Sequence, residues 1–152
     1  MVVAVAALNK LSVSDDVSTS ATKTEFEAET FIKVGEIENI GEFGSEFSAV
    51  TFTSLDDRLV RKFKGTEDPG TLALALGLDP DDTGQAQLQT ALASDAEFSF
   101  KIELNDGETT PTTYYFRGRV MSFKQTVGGA ADVVKASCSI GINTRPLMVA
   151  AT

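Results

Sequence analysis

The sequence has no histidine, no tryptophan, one cysteine, two tyrosines and four prolines in 152 residues. Without histidine there is no imidazole base, no Ser-His or Cys-His nucleophile pair, and none of the usual zinc or haem ligand sets. The lone cysteine, Cys138, excludes an intramolecular disulfide, a CxxC motif and a thiolate cluster. Basic residues are scarce too: 13 Lys and Arg stand against 22 Asp and Glu, a net charge of −9. Gripping nucleic acid or coating anionic lipid needs a cationic surplus that this chain lacks. Long apolar runs are also missing. Residues 1–8 (MVVAVAAL) are apolar but too few to span a bilayer, and no basic residue precedes them as in a signal peptide. They read as a short strand or a docking arm on a soluble protein made in the cytoplasm.

What is present suits one β-rich domain. The chain is 42% hydrophobic and 16.1 kDa, enough for a single core. Residues 1–50 carry three Lys and nine acids, residues 51–100 four basic residues and nine acids, and residues 101–152 six basic residues and four acids. Against that trend Arg58, Arg61, Lys62 and Lys64 fall within seven residues. One reading is a solvated loop or hairpin. The other is a contact surface for an acidic patch on a neighbouring copy, which would favour head-to-tail association.

Residues 9–30 are rich in Ser, Thr, Asp and Glu, and read with residues 1–8 as an N-terminal arm. Residues 31–44 alternate and are punctuated by glycine, giving a strand and a turn. Residues 46–53 (EFSAVTFT) form a strand by composition, 55–63 a charged connection or hairpin arm, and 65–70 (GTEDPG) a turn. In TLALALGL (71–78), leucines at period two argue strand over helix. Asp79 then suits a helix N-cap, with Pro80 at the first helical position and a body reaching about Ser94. Leu88, Ala91 and Leu92 share its apolar face. Strands follow at 98–104, 112–127 and 132–143, and a short apolar tail occupies 147–152. The expected architecture is a β-sandwich or barrel of six or seven strands with one flanking helix.

No constellation calls for catalysis or a cofactor. Residues 79–90 (DPDDTGQAQLQT) match an EF-hand loop at Asp79, Asp81 and Gly84, but Thr90 stands where the bidentate Glu is required. Helix capping accounts for the acids. Cys138 sits on the apolar face of a strand as a small core residue. Glu36 and Glu38 could make a carboxylate pair, yet no aromatic platform accompanies them. They read instead as an exposed or lumen-facing acidic strip. The glycines match neither GxGxxG nor GxxxxGK[ST]. Arg117 and Arg119 suit surface or intersubunit ion pairs. This leaves a non-enzymatic, acidic, mainly-β domain with a hint of self-association.

Several segments in order resemble a known family. They are FIKVGEIENIGEFG (31–44) running into FSAVTFTSL (47–55), RKFKG (61–65), DPDDTGQAQLQTALA (79–93) and YYFRGRVMSFKQTVG (114–128). Together they resemble the major tail tube proteins of phages with long non-contractile tails, over about residues 31–145. The resemblance implies a tube domain at 31–146, between the arm at 1–30 and the tail at 147–152. It implies hexameric rings whose inner strands close a continuous barrel. These rings stack on the tail tip and the tape measure protein, are capped by a terminator, and conduct the genome without binding it specifically. It implies a location in the virion tail after synthesis in the host cytoplasm, with no cofactor and no membrane partner. On that resemblance Arg58, Arg61, Lys62 and Lys64 would lie on the loop that bridges rings. Glu36, Glu38, Glu42 and Glu46 would supply bore or ring-edge charge, since an acidic bore repels phosphates. The alternatives are a type VI-like secretion tube and a monomeric β-sandwich decoration module.

Overall fold

Period-two alternation sets most of this structure. Leu72, Leu74 and Leu76 are buried, as are Phe98, Phe100 and Ile102, and Ala136, Cys138, Ile140 and Ile142. Each run puts one face of a strand into a common core. The computed structural model describes residues 7–107 and 109–151. Its strands are β1 (Lys10–Val17), β2 (Phe31–Lys33), β3 (Ile37–Asn39), β4 (Glu46–Thr53), β5 (Val60–Asp68), β6 (Thr71–Gly77), β7 (Phe98–Glu103), β8 (Thr113–Thr126), β9 (Lys135–Ile142) and β10 (Leu147–Val149). Its helices are α1 (Lys23–Glu27) and α2 (Thr83–Ala93).

One antiparallel sheet runs in the order β2-β1-β7-β8-β9-β6-β3, with β10 added beside the start of β8. Its two edges, β2 and β3, are joined by residues 34–36 alone. Four Cα steps reach about 15 Å at most. A flat sheet of this order would hold its edges about 29 Å apart, six spacings of about 4.8 Å. The sheet must therefore roll into a partly closed barrel around the core, in agreement with the expected fold class.

Helix α2 closes the seam where the edges meet. Gly84 touches the end of β2 so closely that an added Cβ would lie 2.2 Å from the Lys33 carbonyl oxygen. The Asp82 carboxylate caps the helix by accepting from the Gln85 N–H at 2.9 Å and also accepts from the Gly35 N–H at 3.0 Å. The buried Gln85 amide donates to the carbonyls of Gly35 (3.1 Å) and Gly77 (2.9 Å), while its oxygen accepts from the Asp79 N–H at 3.0 Å. Leu88 and Ala91 then enter the core. The N-cap is thus Asp82, not Asp79. Asp79 instead accepts from the Asp81 N–H at 3.0 Å in a local turn that precedes the helix.

The arm expected over residues 1–30 is corrected for its described part. Strand β1 lies inside the sheet between β2 and β7, with Leu11 and Val13 fully buried. Its continuation packs a second, outer layer. Phe26 of α1 stacks on Tyr115 with ring centroids 5.3 Å apart, and Phe31 approaches the same ring at 6.0 Å. Desolvation there, with Glu27 and Glu103 near, pushes the Tyr115 phenol up. Glu29 fastens the layer: Oε1 accepts from the hydroxyls of Ser18 and Ser20, and the Ser99 hydroxyl, 3.2 Å from the same oxygen, donates to Ser18 at 2.5 Å. Residues 1–6, part of the expected docking arm, lie outside the described residues. Three further differences are local. The tail at 147–152 contains β10, the turn expected at 65–70 is mostly strand β5, and residues 31–44 hold two short strands rather than one.

Gly84→Ala is expected to lower stability by about 1–3 kcal/mol, the usual range for overpacking. Urea denaturation of both proteins checks this. An unchanged midpoint would mean the helix does not rest on β2.

Candidate functional site

Strands β4 and β5 pair with each other in a separate two-stranded sheet that projects from the barrel. Their sequence cannot enter a core, because neither face is free of charge or long polar side chains. Cross-strand partners share a face. Val50 lies opposite Phe63 and Phe52 opposite Arg61, which makes the outer part of one face apolar apart from Arg61. Ala49 lies opposite Lys64 and Thr51 opposite Lys62, which makes the other face basic. The Lys64 ammonium sits 4.8 Å from the Phe47 ring centre on that side. At the tip Leu55 is 98% exposed and Leu59 is 62% exposed. Val50, Phe52, Val60 and Phe63 are each more than half exposed.

The base of the ribbon is fixed. The chain leaves and re-enters the barrel through Gly44 (φ 147°) and Gly70 (φ 90°), backbone conformations that favour glycine. Arg145, just before β10, grips Glu67 of β5 through two parallel hydrogen bonds, Nε to Oε1 at 2.7 Å and Nη2 to Oε2 at 2.5 Å. The Arg145 bond, helped by Ser45, holds the Glu67 carboxyl down at about 2.

The four basic residues do not form one patch. Arg58 lies at the exposed tip with φ 56°. Arg61 is on the apolar face and pairs with Asp57 at 2.7 Å. Only Lys62 and Lys64 share the basic face. Among the four glutamates, all exposed, Glu36 occupies the tight link between β2 and β3 with φ 58°. Glu38 pairs with Lys135 at 3.1 Å. Glu42 and Glu46 line a groove of about 380 Å³ together with Asp68. Sequence reasoning missed Asp68, Arg145 and the apolar ribbon face. The signal for that face was present in VTF, whose Val50 and Phe52 fall two apart in a strand without a buried register.

Cys138 is buried, and desolvation pushes its thiol up to about 12. Among the described residues no group of three or more acids and thiols could hold a metal ion. None of the described helices is long and apolar enough to cross a membrane.

Because the Glu67 carboxyl is held low in the folded chain, its contribution is fully present above its ordinary value of 4.5. It is lost as pH falls from there through about 2. Carboxyl NMR is expected to show a Glu67 midpoint near 2 that moves towards 4.5 in Arg145→Ala. An unmoved midpoint would remove the clamp from this account.

Comparison with known proteins agrees with this architecture. The anti-feeding prophage baseplate contains a chain with TM-score 0.74 at 11% identity, covering 99% of this chain and 97% of that one. The sheath/tube terminator structure of the extracellular contractile injection system PVC gives TM-score 0.67 at 15% identity, covering 93% of each chain. The SPP1 tail tube gives TM-score 0.60 at 13% identity, covering 93% of this chain and 76% of that one. At these identities the likeness is one of fold. No curated protein sequence matches the chain. The family of lambda-like phage tail tube proteins does match, over residues 16–144. With that match over most of its length, this chain belongs to the lambda-like phage tail tube family, structural proteins of the virion tail.

Proposed function

We propose that the chain forms the tail tube as stacked hexameric rings whose acidic bore conducts DNA without binding it. The observation that carries this reading is the β4–β5 ribbon, which exposes large apolar side chains on a projection with no core of its own. A two-stranded ribbon alone in water is only marginally stable. Exposed apolar surface of this kind marks a protein interface. The ribbon's partner is another copy, and Arg58, Lys62 and Lys64 add charge to the contact between rings. Glu36, Glu38, Glu42 and Glu46 contribute negative field at the bore or ring edge, which keeps DNA phosphates from sticking. The tape measure protein would occupy the growing bore, with tail tip and terminator proteins at the two ends.

Electron microscopy of the purified protein over a concentration series, with tail tips added as nuclei, is expected to show six-membered rings or hollow tubes. Uniform monomers under every condition would refute the reading. Arg58→Glu combined with Lys62→Glu is expected to shorten tubes or abolish them while leaving the melting temperature unchanged, because both side chains are exposed. Tubes of normal length and yield from that variant would remove the basic residues from the stacking contact.

A further inference from the structure

We infer that the ribbon is a hinged arm, held in its projecting pose by a single latch, the Arg145–Glu67 pair. The hinge is visible in the backbone. The ladder between β4 and β5 begins at Glu46 opposite Asp68, and only residues 44–45 and 69–70 join that first rung to the barrel. On the barrel side the joint is anchored. Phe43 meets Tyr114 edge-on at 5.0 Å, and the Gly70 carbonyl accepts from the Ile142 N–H at 3.0 Å. The two linkers run side by side. An added Cβ at Gly70 would lie 3.4 Å from the Gly44 carbonyl oxygen, while one at Gly44 would meet nothing within 4 Å. Two neighbouring glycines between rigid parts make a joint that turns at little steric cost.

There is room for the turn. Successive rungs of a ribbon point to opposite faces. Glu46 and Asp68 border the cleft of about 380 Å³ on one face, and Phe47 and Glu67 border another of about 500 Å³ on the other. The second is walled on the barrel side by Tyr114, Arg145 and Pro146. Among the described residues, Arg145 alone joins the ribbon to the barrel by side-chain hydrogen bonds or an ion pair. All others made by the side chains of residues 46–68 stay inside the ribbon or end on its own linkers, at Ser45 and Gly70. Exposed ion pairs ordinarily count for little, but bidentate arginine–carboxylate geometry is the exception. Two parallel bonds fix direction as well as distance. Leverage then magnifies their effect. Eight residues of β4 carry the tip about 27 Å from the base, so a turn of about 10° moves it about 5 Å. The latched ribbon projects from its own barrel, so the latch aims the arm and does not hide it. A preset direction lowers the ordering cost of any association the arm enters.

Distances in the free full-length chain test this. Spin labels at Leu55→Cys on the tip and Gln89→Cys on the exposed side of α2 report the angle between arm and barrel, and the buried Cys138 stays unlabelled. Double electron–electron resonance is expected to give one narrow distance distribution in this labelled parent. Arg145→Ala and Glu67→Gln are each expected to widen it at least twofold, with the barrel still folded by circular dichroism. Exchanging the charges, Arg145→Glu with Glu67→Arg, is expected to narrow it again. A distribution already wide in the parent, or one that stays narrow in both single variants, would overturn the latch. These distances are read in the unassembled chain and do not depend on the tube reading. A parent that never assembles yet shows the expected distances would overturn the tube reading and leave the latch standing. Normal tubes from a parent whose distances ignore Arg145→Ala and Glu67→Gln would do the reverse.

Discussion

The contact on which the rest of the barrel depends is the meeting of α2 with the link between β2 and β3. Seven strands in one sheet close only if the two edges are brought together, and the chain does this with three residues. The Gly35 N–H and carbonyl would be left without partners at the seam. Asp82 and Gln85 supply those partners, with two carbonyls and three N–H groups at the seam satisfied by two side chains. Leaving one such buried group unmade costs about 1–3 kcal/mol. Gly84 lets the helix come near enough for the bonds to form. The helix therefore acts as the fastener of the sheet and only secondarily as a packed element.

The two faces of the sheet are held by different chemistry. Inside, leucine, isoleucine and phenylalanine exclude water, with Phe100 stacked on Phe116 at 5.4 Å. Outside, α1 is attached through one aromatic stack and a carboxylate receiving serine hydroxyls. Nearby, Glu97 lies 3.6 Å from Arg117 and 3.7 Å from Arg119, which ties the entry of β7 to β8. The polar outer layer occupies a region whose composition resembles that of a disordered segment.

That contrast explains what was legible in the sequence. The leucine run at 71–78, the alternation at 98–104 and the long strand near 112–127 all emerged at nearly the right bounds, because burial on one face writes itself as period two. The segment 9–30 was misread since its order comes from Glu29 and three serines distant in sequence, a signal that hydropathy does not carry. The LSVS alternation within it was nevertheless there to be seen. The cap moved from Asp79 to Asp82 because DPDD offers three equivalent acids, and only the tertiary bond to Gly35 chooses among them. The ribbon was seen as charged before it was seen as apolar. Its two faces separate only once the register of β4 on β5 is known, and that register contains a bulge between Phe47 and Ala49.

The ribbon's detachment from the core has a consequence for how such chains diverge. Side chains at 50, 52, 55, 59 and 63 contribute little to the stability of the isolated domain, because they touch little of it. Substitution there is almost silent for folding, whereas substitution at Gly84 or Gln85 is not. The molecule thus divides into a part whose sequence is held by the need to fold and a part that is free of that need and, on the proposed tube reading, can record the identity of a partner. Two related tubes assembling in one cell could keep the same barrel and still refuse each other's subunits.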